Sequence, residues 1–258
     1  LENGANTSFV NRIADKNLKV EDLIENPRQT IQEAQRKEGK TGQKHLSIPF
    51  PIDLYGFNRK NSSGLDLAND KDLLQLNETA TKLMAHQWHA APLGKEIVED
   101  ASAVAENIIN PANHNDVVGT VIEATSAQVD AALNTAANAQ SDWINTDKDV
   151  RAGCLLRAAD IMESRLQELM VLLSRESGKT YANAIAEVRE AVDFLRYYAS
   201  QIIDLDKNAN IEALGTVLCI SPWNFPLAIF SGQIAAALVA GNTVIAKPAE
   251  QTRLIAAE

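Results

Sequence analysis

The chain contains 258 residues, with 24 lysines and arginines against 34 aspartates and glutamates, so its formal net charge is −10. Its 45% hydrophobic content supports a packed core and excludes wholesale disorder, and its acidity argues against binding nucleic acid or an anionic membrane through bulk charge. The two cysteines, Cys154 and Cys219, can form neither a disulfide framework nor a cysteine-rich zinc site, so we expect a cytoplasmic protein without a metal.

The N-terminal part of the chain is predicted to form short helices followed by a connector. Residues 1–44 are polar, and their pattern predicts helices at Val20–Glu25 and Thr30–Lys37. Prolines flank Phe50, which favours an extended backbone over a helix. Because residues 48–57 are rich in apolar and aromatic side chains, we expect burial to order this connector.

From Asp70 onward the apolar pattern predicts alternating helices and strands. Two helices each carry one apolar stripe, with apolar residues every three or four positions over 155–173 and over 185–202. Gly178 follows the first of them, as a helix-ending glycine would. The other predictions are a helix over Asp72–Trp88, a strand over Val117–Glu123 and a helix from an N-cap at Ser126 to about Trp143.

Residues 214–252 predict a strand–helix–strand unit. The run Gly215–Ile220 has the composition of a strand that is buried on both faces of a parallel sheet. A helix over Leu227–Ala240 and a second strand over Thr243–Lys247 follow it. Because such a crossover makes the two strands parallel, their carboxyl ends are expected at one edge of the sheet. That edge is where open α/β sheets bind ligands.

Four polar or aromatic residues are predicted to meet at this edge. Trp223 would form a flat apolar wall, and the Asn224 side chain can donate two N–H bonds to a developing oxyanion without carrying charge. Lys247 suits hydroxyls or phosphate, and Glu250 can accept from a pair of ribose hydroxyls. Taken singly, Lys247 would be a solvated lysine and Asn224 a turn former, so their combination indicates the site. A glycine-rich dinucleotide fingerprint follows neither strand.

These motifs resemble those of the aldehyde dehydrogenase superfamily. Residues Ile220–Pro226 (ISPWNFP) and Lys247–Thr252 (KPAEQT) are similar to the family's two early cofactor-domain motifs, in the same order and at the same spacing. Residues Glu176–Thr180 (ESGKT) resemble its upstream Glu-x-Gly-Lys-Thr element. The resemblance covers roughly residues 97–258.

The resemblance implies an α/β fold, namely the N-terminal part of an aldehyde dehydrogenase-type, Rossmann-like NAD-binding domain preceded by a helical barrel tail and an extended connector. Residues 1–10 resemble the end of the flavin-dependent proline dehydrogenase barrel of the bifunctional proline utilization A family, and residues 49–64 resemble that family's connector. The implied domains are a barrel tail over 1–20, a connector over 21–75 and an incomplete NAD-binding domain over 76–258.

The resemblance also implies roles for individual residues. Asn224 would be the catalytic residue of this segment, donating to the aldehyde oxygen in the tetrahedral intermediate. The implied cofactor-binding residues are Ile220, Ser221, Trp223, Lys247 and Glu250. Among them, Lys247 and Glu250 would bind the adenosine ribose of NAD, and the carboxylate of Glu250 would disfavour a 2′-phosphate.

The implied reaction is the NAD-dependent oxidation of a small-molecule substrate, L-glutamate γ-semialdehyde, to glutamate, with FAD-dependent proline oxidation in an upstream domain. The family's nucleophilic cysteine, general-base glutamate and pyrophosphate loop would lie beyond Glu258, so we expect the chain alone to be inactive. The full-length protein is expected to be a homo-oligomer. The resemblance does not decide whether that protein associates peripherally with the inner membrane. The cysteines of this segment are expected to be structural.

The sequence leaves two other interpretations open. One is a different semialdehyde dehydrogenase fused to an unrelated N-terminal segment, which an upstream sequence without an arginine pair before Leu1 would favour. The other is a non-catalytic scaffold module of the same fold, whose downstream sequence would lack a glycine loop, a glutamate and a cysteine.

Overall fold

The computed structural model describes residues 9–24, 26–39, 48–94, 104–205 and 212–258. The chain divides into two compact units, Leu1–Phe50 and Pro51–Glu258. The domain boundaries expected at residues 20 and 75 stay predictions. Residues 1–8, which carry most of the resemblance to a barrel tail, lie outside the described residues.

Short helices make up the described part of the first unit, and they are α1 (Phe9–Ala14), α2 (Val20–Leu23) and α3 (Pro27–Glu38). Helix α3 begins at Pro27, earlier than predicted, because proline needs no backbone N–H partner in the first turn of a helix. The Asn26 side chain accepts a hydrogen bond from Arg28 N at 3.0 Å at this end. Gly39 ends the helix in the left-handed conformation, with φ 84°.

The second unit is mixed α/β. Its α-helices are α4 (Asp70–Leu83), α5 (Ser126–Ile144), α6 (Lys148–Ser164), α7 (Leu166–Ser177), α8 (Tyr181–Asp204), α9 (Ala228–Val239) and α10 (Arg253–Ala257), and a short 3-10 helix spans Pro51–Asp53 in the predicted connector. Its strands are β1 (Trp88–Ala90), β2 (Glu106–Asn110), β3 (Asn113–Val121), β4 (Thr216–Ile220) and β5 (Thr243–Lys247). None of the described helices combines the length and the apolar composition that a membrane-spanning segment requires.

The strands form two small sheets. In the first, β3 lies between β1, to which it is parallel, and β2, to which it is antiparallel. In the second, β4 and β5 run parallel, with Thr216 opposite Thr243 and Ile220 opposite Lys247. Helix α9 connects these two strands, so the predicted parallel crossover is confirmed.

Helix α8 lies at the centre of the second unit and packs against α6, α7 and α9. Its predicted apolar stripe is buried, with Val188, Val192 and Leu195 each at most 5% exposed. Helix α7 adds a continuous buried run from Leu169 to Leu173. Burying one apolar side chain of this size stabilises a fold by about 1.5–3 kcal/mol, so these two helices make a large contribution to the stability of the second unit.

Several predicted boundaries in the second unit were wrong. The apolar stripe over 155–173 continues across two helices, because the chain turns at Arg165 (φ −100°, ψ 15°) between α6 and α7. The helix predicted to reach Trp88 ends before it, and Trp88 is buried in β1 instead. Thr125, rather than the predicted Ser126, is the N-cap of α5.

Two predictions of burial were also wrong. In the connector, Leu54 is 56% exposed and Phe57 is fully exposed. In β4, Leu218 and Ile220 are 58% and 59% exposed, although the composition of the strand predicts burial on both faces. Among the described residues this sheet has two strands, and these two side chains stay more than half exposed although α5 and α9 contact β4.

Candidate functional site

The turn after β4 and the end of β5 lie side by side at one edge of the two-stranded sheet. Ile220, the last residue of β4, pairs with Lys247, the last residue of β5. Ser221 N continues the pairing by donating to Lys247 O at 3.2 Å. Asn224 lies in the turn that follows, and both Asn224 and Lys247 are exposed. The structure therefore brings these two residues to the shared edge that the topology predicts.

The predicted apolar lining of this edge is open to solvent. Trp223 is 58% exposed and Ile220 is 59% exposed, so both present apolar surface beside the turn. Ser221, by contrast, is buried, and its hydroxyl donates to Gln233 Oε1 of α9 at 3.2 Å. Its side chain therefore holds the turn against α9.

Lys247 and Glu250 supply the charged groups of the edge. Lys247 Nζ donates to the neighbouring Pro248 carbonyl at 3.1 Å, and Glu250 is exposed in the turn beyond it. An ammonium and a carboxylate beside an open apolar surface fit the hydroxyls and the ring of an adenosine. The residues present are thus compatible with NAD, and their individual roles stay predictions.

A lysine from outside the turn holds Asn224. Lys179 Nζ donates to the backbone carbonyl of Asn224 at 2.8 Å and lies 4.8 Å from the centre of the Phe225 ring. The same ammonium pairs with Glu187 Oε2 at 2.8 Å. The side chain of Lys179 is 14% exposed and that of Glu187 is 1% exposed. The pair is therefore largely removed from water, where charges interact more strongly than at the surface.

Glu187 also caps the helix that follows the turn. Its Oε1 accepts from Leu227 N at 2.8 Å and from Ala228 N at 3.4 Å, where α9 begins. A carboxylate is favoured there because the first amides of a helix lack helical partners and the helix dipole is positive at this end. The ion pair of Lys179 and Glu187 therefore fixes the turn both at Asn224 and at its junction with α9.

The last turn of α7, just before Lys179, holds α10. Glu176 Oε1 accepts from Leu254 N at 2.7 Å, and its Oε2 accepts from Ile255 N at 2.9 Å. Burial raises the pKa of Glu176 to about 7, although these two bonds act to lower it. Gly178 forms the turn that follows α7, with φ 69°, as the sequence predicts. The Glu-Ser-Gly-Lys-Thr segment thus contacts the first cofactor-domain motif at Asn224 and also the helix that follows the second motif.

Sequence reasoning did not place Lys179 or Glu187 at the site. A signal was present on α8, since Glu187 lies three residues after Ala184 and four before Ala191, both of which are fully buried. A charged side chain on the buried face of a helix requires a partner of opposite charge or several hydrogen bonds. The sequence alone could not identify that partner.

Comparison with known proteins agrees with the motifs. The model of the aldehyde dehydrogenase family matches residues 97–258. The bifunctional protein PutA of Klebsiella aerogenes is 53% identical over 258 residues, which is 100% of this chain and 20% of that protein. The chain therefore spans about a fifth of the length of this curated relative.

Solved structures share the fold. Proline utilization A from Bdellovibrio bacteriovorus, inactivated by N-propargylglycine, aligns with a TM-score of 0.75 at 29% identity, over 99% of this chain and 26% of that one. A 1-pyrroline-5-carboxylate dehydrogenase from Thermus with bound NAD aligns with a TM-score of 0.67 at 30% identity, over 83% and 42% of the two chains. The predicted fold class is confirmed, and the chain belongs to the aldehyde dehydrogenase family.

Proposed function

We propose that these residues are part of a bifunctional proline-catabolic enzyme, in which they form the first part of the domain that oxidises L-glutamate γ-semialdehyde to glutamate with NAD. Similarity to PutA along the whole chain supports the bifunctional assignment. Similarity to a 1-pyrroline-5-carboxylate dehydrogenase supports the substrate, because that compound is the cyclic imine of the aldehyde. The observation that carries the proposal is the sheet edge shared by Asn224 and Lys247.

In this proposal Asn224 stabilises the aldehyde oxygen as negative charge develops on it. Its amide is uncharged, exposed and attached to a turn that is held from both sides. Removing one such donor typically lowers kcat by about 100- to 1,000-fold. NAD accepts the hydride when it is bound, and Lys247 and Glu250 are proposed to hold its adenosine ribose.

We also propose that the 258-residue chain does not oxidise aldehydes on its own. A covalent route needs an accessible thiolate. Cys219 is 5% exposed in the middle of β4, and burial raises the pKa of its thiol. Cys154 lies on α6, which packs on α8 and α9 rather than on the strands of the site. Neither cysteine suits the reaction, and FAD-dependent proline oxidation is proposed for another part of the same enzyme.

Kinetics of the complete protein that contains this chain test the proposal. With L-glutamate γ-semialdehyde and NAD it should form NADH, and Asn224→Ala should lower kcat about 100- to 1,000-fold. The matched control is Asn115→Ala, which changes an exposed asparagine of β3 and should leave kcat unchanged.

Three outcomes of this assay would contradict the proposal. One is a complete protein that forms no NADH with this substrate, and another is an Asn224→Ala variant as active as the parent. The third is a clear preference for succinic semialdehyde, which would favour a different semialdehyde dehydrogenase. The 258-residue chain, assayed in parallel, should give no NADH.

A further inference from the structure

The turn that carries Asn224 depends on side chains from elsewhere in the fold. It runs from Ser221 to Pro226, and its two prolines, Pro222 and Pro226, have no backbone N–H to donate. Its first residue is tied to β5 by the bond from Ser221 N to Lys247 O. Further along, the carbonyl of Asn224 is held by an ammonium that comes from 45 residues earlier in the chain.

We propose that Lys179 and Glu187 position the side-chain amide of Asn224 for the reaction and thereby set its rate without touching the aldehyde. Lys179 binds the carbonyl of Asn224 itself, at 2.8 Å, and so fixes the peptide plane that follows the Cα from which the amide projects. Glu187 fixes the ammonium at 2.8 Å and the start of α9 at 2.8 Å. The inference rests on the proposed function, because it requires Asn224 to be the donor.

The need to position Asn224, rather than a gain in folding stability, accounts for the charged side chains of Lys179 and Glu187. A buried ion pair often contributes little net stability, because removing two charges from water offsets their attraction. A donor to a transition state, in contrast, must be held within about 0.5 Å of its productive place. A displacement of about 1 Å can cost on the order of 100-fold in rate. Lys179 and Glu187 are therefore positioning residues.

Substitution of Lys179 in the complete enzyme gives the first test. Lys179→Met keeps an unbranched apolar side chain of similar length but removes the ammonium, so kcat should fall about 10- to 100-fold while KM for NAD stays unchanged. Lys179→Arg retains a charged donor and should recover part of the loss. The matched control is Lys148→Met, since Lys148 Nζ also binds backbone carbonyls, those of Ile203 at 2.9 Å and Leu205 at 2.8 Å, at the far end of α8. It should keep the parent kcat.

A double substitution separates positioning from a general structural role. If Lys179 acts through Asn224, adding Lys179→Met to Asn224→Ala should lower kcat no further, because the group being positioned is already gone. If the fold-loss in kcat of the double variant equals the product of the two single losses, Lys179 acts elsewhere and the inference is overturned. Glu187→Gln is the second variant if Lys179→Met does not fold, since Gln keeps an acceptor for Leu227 N while removing the charge. It should show the same loss and the same non-additivity.

The outcomes also separate this inference from the proposed function. If Asn224→Ala lowers kcat while Lys179→Met and Glu187→Gln both match the parent, the positioning role is wrong and the proposed function stands. If Asn224→Ala itself matches the parent, the proposed function fails and the positioning role fails with it.

Discussion

At the scale of single residues, buried ionisable side chains in this protein order backbone near the sheet edge. Glu176, Lys179 and Glu187 all bind main-chain groups of segments that follow them by at least 40 residues. Glu176 is 4% exposed and Glu187 is 1% exposed. Side chains of this kind are costly to bury unless they are paired, and here the hydrogen bonds that pair them also hold the turn of Asn224 and the start of α10.

The raised pKa of Glu176 makes stability depend on pH. In the unfolded chain this carboxyl titrates near its ordinary value of 4.5, and in the folded protein near 7. Between these values the folded protein keeps a proton that the unfolded chain has released, so the free energy of unfolding falls as the pH rises. The loss should approach about 3 kcal/mol in total, and Glu176→Gln should remove it.

Urea unfolding at pH 4.5, 6 and 8 measures this dependence. Tryptophan fluorescence is suitable because Trp88, Trp143 and Trp223 all lie in the second unit. Glu190→Gln, which changes an exposed glutamate of α8, is the control and should keep the parent profile. A Glu176→Gln profile parallel to that of the parent would show that Glu176 is not the group responsible.

At the scale of elements, strands β1 and β3 of the first sheet approach so closely at Gly119 that no side chain fits between them. Gly119 of β3 lies opposite Trp88 of β1, and a Cβ at this position would lie 2.1 Å from the carbonyl oxygen of Trp88. The neighbouring atoms belong to the backbone of Trp88, so they cannot move aside as the end of a flexible side chain can. Glycine is therefore required here by the close approach of two strands.

A pair of glycine substitutions tests this contact. Gly119→Ala should lower the free energy of unfolding by about 2–3 kcal/mol, as overpacking does. Gly153→Ala in α6 is the control, because a Cβ there meets only the flexible end of Arg157 at 3.4 Å. It should be neutral or stabilise the fold by up to about 1 kcal/mol. Equal effects of the two substitutions in urea unfolding would contradict the argument.

Periodicity predicted elements well where local pattern and packing agree. Helix α8 and strands β4 and β5 are present within a few residues of their predicted bounds. The break at Arg165 was missed because the apolar stripe continues across it, so hydrophobic spacing alone contains no sign of a turn. The exposure of Leu218 was missed because apolar composition shows which side chains favour burial but not which neighbours are there to cover them.

At the scale of the whole molecule, the sheet edge at the ends of β4 and β5 could be predicted from topology. The contacts of Lys179 and Glu187 with that edge could not, because they depend on tertiary packing. Parallel strands bring Asn224 and Lys247 to one edge whatever surrounds them, so the crossover alone indicates their proximity. Glu187 contacts the start of α9 because α8 packs against α9, and Lys179 contacts Asn224 from the turn before α8, so residues about 40 positions apart meet. The spacing of apolar residues along the sequence does not predict how α8 packs against α9.

The central claim is that this one edge holds both the nucleotide and the aldehyde oxygen. A crystal structure of the complete protein with NAD tests it most directly. We expect the adenosine ribose hydroxyls within hydrogen-bond distance, about 3.2 Å or less, of Lys247 Nζ and the Glu250 carboxylate, and the Asn224 amide facing the nicotinamide end. A nucleotide bound away from the ends of β4 and β5, or an Asn224 amide turned into the fold, would contradict the account.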